Sequence, residues 1–341
     1  MRALVYRDFN DFRWEEVETP GIGSDEILVK VEACGLCSTD VWKAMYREAK
    51  PGTVLGHEVS GKVVETGVNV AGLRVGDRVA VYHRAECGEC YYCRCGQETL
   101  CSQYRQQSIF PGAFAEYIRV TPWLVQKSVI RIPGEMTYEE ATMIEPTACC
   151  VRAVSRCGVS PGDSVLIIGD GPLGLLNAQV SKSAGAFVML SGHHDKRVEA
   201  ARRLGADYAF NSNSTDPKEE VSRLTEGRGA DIVIVAVSST DAVQQSVRLV
   251  RRGGRICVFG DFRDVPQPSL SLDLKPLVHE GVSLLGSWGC STKDYHAAFN
   301  LIRNRRVRVR EMITHRIPMN RFTEALNVFL SKDCIKIVLN P

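Results

Sequence analysis

What the sequence lacks narrows its class before any motif does. Forty-two lysines and arginines stand against 40 aspartates and glutamates, a formal net charge of +2, so the chain as a whole offers a polyanion no field to follow. Its densest basic run, IRNRRVRVR at 302–310, reads as a solvated face and not as a nucleic-acid contact. No apolar run approaches the roughly 20 residues that cross a bilayer. The opening MRALVYRDF lacks the charged start, apolar core and small-residue cleavage site of a secretory signal. These absences point to a cytoplasmic protein with neither nucleic acid nor membrane as a partner. At 341 residues, 44% hydrophobic and 24% charged, it has the make-up of an ordinary globular protein of about two domains.

Cysteine, by contrast, is abundant: the chain has 13. A reducing compartment disfavours a disulfide framework and turns attention to metal or redox chemistry where the thiols cluster. Cys34, Cys149, Cys150, Cys157, Cys257, Cys290 and Cys334 are scattered and read as small buried hydrophobes. Five others crowd CGECYYCRCGQETLC at 87–101. Cys87, Cys90 and Cys93 recur every third residue, and Cys101 follows after a loop containing Gly96. Four thiolates so spaced can close a tetrahedron around zinc and leave no position for substrate, which makes the ion structural. Cys95 is surplus, either an alternative ligand or a free surface thiol.

The second half alternates β-branched runs with helical stretches: SVLIIG (164–169), AFVMLSG (186–192), DIVIVAV (231–237) and GRICVFG (254–260). This pattern predicts an α/β parallel sheet with helices on both faces. Directly after the first run, GDGPLG sets Gly169, Gly171 and Gly174 at G-x-G-x-x-G spacing, with Pro172 and Leu173 opening the helix. The first glycine permits the tight turn, the second lets backbone approach a pyrophosphate, and the third lets helix pack on strand. The helix N-terminus adds amide donors for the phosphates. A glycine-rich turn without a ligand is the alternative.

At the end of the second run an acidic residue accepts the ribose hydroxyls when the cofactor is NAD. The sequence there is MLSGHHDKR, with Gly192 where the acid is expected. Without that carboxylate a 2′-phosphate is not repelled, and Ser191, His193, His194, Lys196 or Arg197 can meet it with hydrogen bonds or charge. The expectation is NADP(H) ahead of NAD(H). Asp195 lies close enough to reverse it if the loop is displaced.

In the first half, Cys37 in ACGLCSTD, His57 and Glu58 in VLGHEVSG, and Glu145 in MIEPTACC form a second candidate ligand set. A cysteine, a histidine and one or two glutamates gathered by folding leave zinc an exchangeable position, the mark of a catalytic site. Each alone is weak: His57 also suits a core position, and Glu145 before Pro146 also suits a helix cap.

Taken in order, CGLCSTD, GHEVSGKVVETG, the four-cysteine lobe, GDGPLG and ITHRIP cover nearly the whole chain and resemble the zinc-dependent medium-chain alcohol dehydrogenases. The sorbitol and threonine dehydrogenase branch is the most similar, through Glu145 where other branches carry a cysteine ligand. The resemblance implies a GroES-like β-rich catalytic domain from 1–150 and 290–341, carrying a structural zinc lobe at 87–101. It implies a Rossmann domain, a doubly wound parallel sheet, at 151–289. Cys37 and His57 would bind a catalytic zinc, with Glu58 and Glu145 exchanging as third or fourth ligand, so two zinc ions per chain are expected. Carboxylates in place of a second thiolate make a harder, more labile site, suited to a substrate with two adjacent oxygens. Thr39 matches the family hydroxyl that hydrogen-bonds the reacting alcohol, although an N-cap in STD fits equally.

The implied activity is reversible oxidation of a secondary alcohol (a polyol, sugar derivative or hydroxy-amino acid) to a ketone by hydride transfer to NAD(P). The implied assembly is a homodimer or homotetramer paired through VSLLGSWG at 282–289. One departure stands out: the family relay histidine is replaced by Trp42, whose indole N–H donates but cannot shuttle a proton at neutral pH. Two other classes compete. A zinc-independent quinone or enone reductase on the same fold has no use for Cys37, His57, Glu58 and Glu145 together. A zinc-lobe binding or nucleotide-sensing protein needs no second, open metal site.

Overall fold

The computed structural model describes residues 1–262 and 268–341. The chain divides into one unit formed by Met1–Ala148, Cys290–Arg303 and Val309–Pro341, and a second formed by Cys149–Gly289 and Asn304–Arg308. The division falls at Ala148 where 150 was expected, and it returns 304–308 to the second unit. The reason for the latter is local. Val307 is buried and the backbone N–H of Arg308 donates to Gln179 Oε1 at 2.8 Å, so this part of the basic run is fastened to the helix Pro172–Ser183. The neighbouring Arg310 pairs with Glu140 within the first unit.

In the second unit, Ser164–Ile168 and Ala230–Val235 are buried at every position. Continuous apolar runs of this kind belong to parallel strands covered on both faces. Among the described residues the sheet has six strands, in the order Tyr208–Asn211, Phe187–Gly192, Ser164–Ile168, Ala230–Val235, Val250–Val258, Ser283–Gly286. All neighbours are parallel. In order of appearance that is 3-2-1-4-5-6, the doubly wound arrangement that binds dinucleotides where the order reverses. One face of the sheet, through Leu166, Ile168, Val233 and Val235, packs against Val221 and Val243 from the flanking helices. Tyr208–Asn211 has only four residues and its ends are half-exposed, too short a signal to separate from its surroundings in sequence.

The first unit is built on an open sheet in the order Ile313–Pro318, Lys336–Asn340, Ile27–Gly35, Glu58–Thr66, Arg78–Tyr82, Val129–Arg131, with Tyr117–Val120 also pairing Ile27–Gly35. Arg2–Asp8 and Asp11–Glu16 pair as a separate two-stranded ribbon that packs into the same core. The strand Lys336–Asn340 runs antiparallel to Ile27–Gly35, with Val338 opposite Gly35. Gly35 in turn faces Glu58 on the next strand. The last residues of the chain are thus woven beside its first forty, and this register carries a distant lysine to the candidate metal site. Among the described residues no helix is long and apolar enough to cross a membrane.

Candidate active site

Folding brings one atom each of Cys37, His57 and Glu58 within 4.8 Å of one another. Cys37 occupies the N-cap position of the helix Ser38–Met45 in extended conformation. Glu58 begins its strand between Gly35 and Tyr82. A β-carbon on Gly35 would lie 1.9 Å from Glu58 Oε2, so only glycine lets the carboxylate cross the strand there. Thr39 is the second residue of the helix that Cys37 caps, so the N-cap role considered for it falls to Cys37. Trp42, one turn further, has its ring 6.0 Å from Tyr46 and 6.1 Å from Phe329 and packs against the core.

Two buried partners hold these ligands, and sequence reasoning singled out neither. Asp40, only 2% exposed, places Oδ1 3.2 Å from His57 Nδ1. This contact fixes the ring and leaves Nε2 to a ligand role, the usual arrangement behind metal-binding histidines. Burial alone would lower the His57 pKa; the Asp40 carboxylate and Cys37 outweigh it and raise it well above the ordinary value. Lys336, 4% exposed, donates from Nζ to Glu58 Oε1 at 2.7 Å and sits 2.5 Å from Oε2, off the line of a hydrogen bond. Burial opposes the lysine charge, and the Glu58 carboxylate more than restores it. Glu58 Oε2 is left buried without a hydrogen-bond donor among the described residues. A soft thiol, an oriented imidazole and a buried carboxylate together fit zinc or a similar divalent ion.

Glu145 lies outside that group. It is buried on the helix Ile144–Arg156, and its pKa is pushed up to about 7, by burial first and then against the pull of His57, with Glu58 adding repulsion. His83, not singled out by the sequence, has its ring centroid 4.9 Å from that of His57. Burial and the charges of His57, Arg84 and Lys43 keep it well below the ordinary histidine pKa.

The second cluster unites Cys87, Cys90, Cys93 and Cys101 within 4.8 Å. The Cys87–Cys93 and Cys90–Cys93 sulfur separations are 3.8 and 3.5 Å. Thiolates about 2.3 Å from a tetrahedral zinc stand at nearly that spacing. Backbone N–H groups of Glu89 and Cys90 point at Cys87 Sγ, at 3.4 and 3.2 Å, and lower its pKa to about 6. That favours the thiolate a metal needs. Cys95 is exposed and outside the cluster.

In the second unit the three glycines of GDGPLG are required for different reasons. Gly169 has φ +121, and a β-carbon there would meet Val237 at 2.6 Å. One on Gly174 would lie 1.9 Å from the Gly169 carbonyl oxygen. At Gly171 nothing among the described residues lies within 4 Å, so none of their atoms demands a glycine at this helix N-cap. The space a side chain would fill stays open, as a pyrophosphate approaching the backbone would require. Pro172 and Leu173 begin the helix as expected. Ser191 is buried and its carbonyl accepts from Gly169 N–H at 2.8 Å.

Beyond it, the loop of Gly192, His193 and His194 is gripped by Asp170 from inside the glycine motif. Asp170 Oδ2 accepts from the N–H groups of His193 and His194 at 2.8 and 2.7 Å, and His194 Nδ1 lies 3.0 Å from the same oxygen. Arg197 approaches the other oxygen at 3.8 Å.

Comparison with known proteins gives the family of the chain. The alcohol dehydrogenase GroES-like domain family matches residues 23–133 and the zinc-binding dehydrogenase family residues 172–304. Sorbitol dehydrogenase of Halalkalibacterium halodurans is 33% identical, with 100% of this chain and 99% of that protein covered. L-threonine 3-dehydrogenase of Pyrococcus abyssi is 33% identical over 95% of this chain and 93% of its own. The NADP-bound structure of a Sinorhizobium meliloti 1021 protein described as a zinc-binding dehydrogenase has a TM-score of 0.87 at 28% identity, covering 100% and 99% of the two chains. The chain belongs to the zinc-type medium-chain dehydrogenases, enzymes of the alcohol dehydrogenase class, and within them to the branch of the sorbitol and threonine dehydrogenases.

Proposed function

We propose that this enzyme oxidises a secondary alcohol carrying further polar groups, of the polyol, sugar-derivative or hydroxy-amino-acid type, to a ketone, reversibly, with NADP preferred to NAD. The convergence of Cys37, His57 and Glu58 carries the reading, because neither a metal-free reductase nor a zinc-lobe binding protein needs it. Zinc held by Cys37, His57 and Glu58 would supply Lewis acidity at the substrate oxygen, and a nicotinamide nucleotide at the glycine motif would supply the hydride acceptor. The balance is alcohol and NADP⁺ to ketone, NADPH and a proton.

The chain's own residues do the rest. Asp40 keeps the His57 ring in place, Lys336 anchors the Glu58 carboxylate, and Glu145 stands in reserve as an exchanging carboxylate. Thr39 Oγ1 receives the proton of the reacting hydroxyl in a hydrogen bond. With Trp42 in place of the relay histidine, the proton leaves through water, Lys43, a ribose hydroxyl of the nucleotide or another group. The amides at the start of the helix Pro172–Ser183 hold the pyrophosphate. The preference for NADP is supported by the acid missing at Gly192. The cysteine lobe takes a second, structural zinc, which a cytoplasmic setting with reduced thiols suits.

A dimer or tetramer is proposed on the edge strand Ser283–Gly286, around which Leu274, Val278, Leu284 and Trp288 are exposed, since such edges are normally paired or covered. Zinc analysis joined to a substrate screen tests the function. Two zinc ions per chain and NADP reduction dependent on a secondary alcohol are expected; one zinc and no alcohol-dependent reduction would overturn it.

A further inference from the structure

His83 stands next to the candidate metal site, and the proposed mechanism does not use it. It follows the strand Arg78–Tyr82, whose last residue pairs with Glu58. Tyr82 is itself immobilised: its hydroxyl donates to the Cys290 carbonyl at 2.9 Å, lies 2.6 Å from the Tyr104 hydroxyl, and its ring stacks on Tyr295. The imidazole that follows is therefore held by a fully packed neighbour, edge-on to the Tyr82 ring and 4.9 Å from His57.

The tautomer of His83 is settled by Arg84. Its Nε–H donates to His83 Nε2 at 3.0 Å, which requires a lone pair on that nitrogen and places the ring proton on Nδ1. Arg84 cannot readily turn away, because it also donates to the Tyr104 carbonyl at 3.2 Å and lies over the Tyr104 ring. The outcome is a neutral donor, Nδ1–H, that is buried and has no hydrogen-bond partner among the described residues. A buried donor left unpaired costs about 1–3 kcal/mol, and folded proteins rarely retain one without use.

We propose that His83 is a specificity residue whose Nδ1–H donates to a second substrate oxygen, on the carbon next to the reacting carbinol. The inference rests on the dehydrogenase reading and deepens it: the preferred substrates are vicinal diols and polyols, and a simple secondary alcohol leaves the imidazole donor unpaired. Sites built around a hydrogen bond to a substrate hydroxyl discriminate strongly against analogues that lack it, whereas apolar pockets do not.

The test compares 2,3-butanediol and sorbitol with 2-butanol on the zinc-loaded enzyme, in wild type, His83→Phe and His83→Asn. Phenylalanine keeps the ring and removes the donor, while asparagine places an N–H close to the position of Nδ1. In His83→Phe the ratio of kcat/KM for diol over mono-alcohol should fall by roughly 10- to 100-fold, mainly through KM, and His83→Asn should recover most of that ratio. An equal loss on both kinds of alcohol, an unchanged ratio, or the same fall in both variants would overturn the assignment while leaving the dehydrogenase reading intact. A wild type that oxidises none of the three alcohols would instead remove the reading beneath it, and the inference with it.

Discussion

The carboxylate of Asp170 stands 2.6 Å from the point where a β-carbon on Gly192 would lie. The acid missing from the end of the second strand of the nucleotide-binding sheet is thus excluded by another acid, reaching across from the glycine motif. Asp170 does not simply replace it, because its oxygens are engaged by the His193 and His194 amides and approached by Arg197. Gly192→Asp alone should therefore weaken binding of both nucleotides, since the new side chain collides with Asp170. Combined with Asp170→Ala it should bind NAD at least tenfold more tightly relative to NADP than wild type, a gain of ~1.4 kcal/mol. Fluorescence titration of both nucleotides decides it. A single Gly192→Asp variant that switches cleanly to NAD, or a wild type that prefers NAD, would contradict this account.

The two cysteine sites should separate in a pair of variants. Cys90→Ser removes one of four structural thiolates, so zinc content should drop from two to one per chain and the melting temperature should fall, because metal affinity there is folding free energy. Cys37→Ser should also lose one zinc and abolish alcohol-dependent reduction, yet melt close to wild type. Metal analysis and thermal unfolding of both variants check the pair. Full activity and unchanged melting in Cys90→Ser would contradict the structural role of the lobe.

How much of this was legible in the sequence follows from the range of each interaction. The four-cysteine cluster lies within 15 residues, and the glycine motif within six, so spacing alone exposed both. The parallel sheet announced itself through Ser164–Ile168 and Ala230–Val235, buried at every position. Cys37, His57 and Glu58 could be nominated only as a set, since each residue type is ordinary by itself. Asp40 had a usable signal that went unread, its place three residues beyond Cys37 on a helix. Lys336 had none, because 278 residues separate it from Glu58 and only strand pairing at Gly35 unites them. His83 likewise becomes informative only through the Arg84 contact that fixes its tautomer.

The Lys336–Glu58 pair is buried on both sides, with side-chain exposures of 5% and 1%. Such a pair adds little over an apolar substitute, but removing one partner strands the other charge. Lys336→Met should destabilise the metal-free protein by roughly 3–5 kcal/mol. The double variant Lys336→Met with Glu58→Gln should recover part of that loss. Urea unfolding of wild type, single and double variants completes the cycle, and strictly additive effects would mean that the two groups are not coupled.

Asp231 gives a pH dependence whose direction is fixed by its partners. Its carboxylate accepts from the Ser164 amide at 2.8 Å and hydroxyl at 2.6 Å, and pairs with Arg251, joining the starts of two central strands. Burial opposes its charge, but these contacts prevail and hold its pKa at about 2, below the ordinary 3.8. The unfolded chain therefore takes up the proton first as the medium is acidified. The stabilisation, about 2 kcal/mol by linkage, should be fully present above roughly pH 5 and disappear progressively as pH falls through 4 towards 2. Comparing urea unfolding of wild type and Asp231→Asn from pH 6 to 2.5 isolates it, because the asparagine cannot ionise. The stability gap between them should narrow on acidification; a gap that stays constant, or widens, would show that the carboxylate charge at Asp231 does not stabilise the sheet.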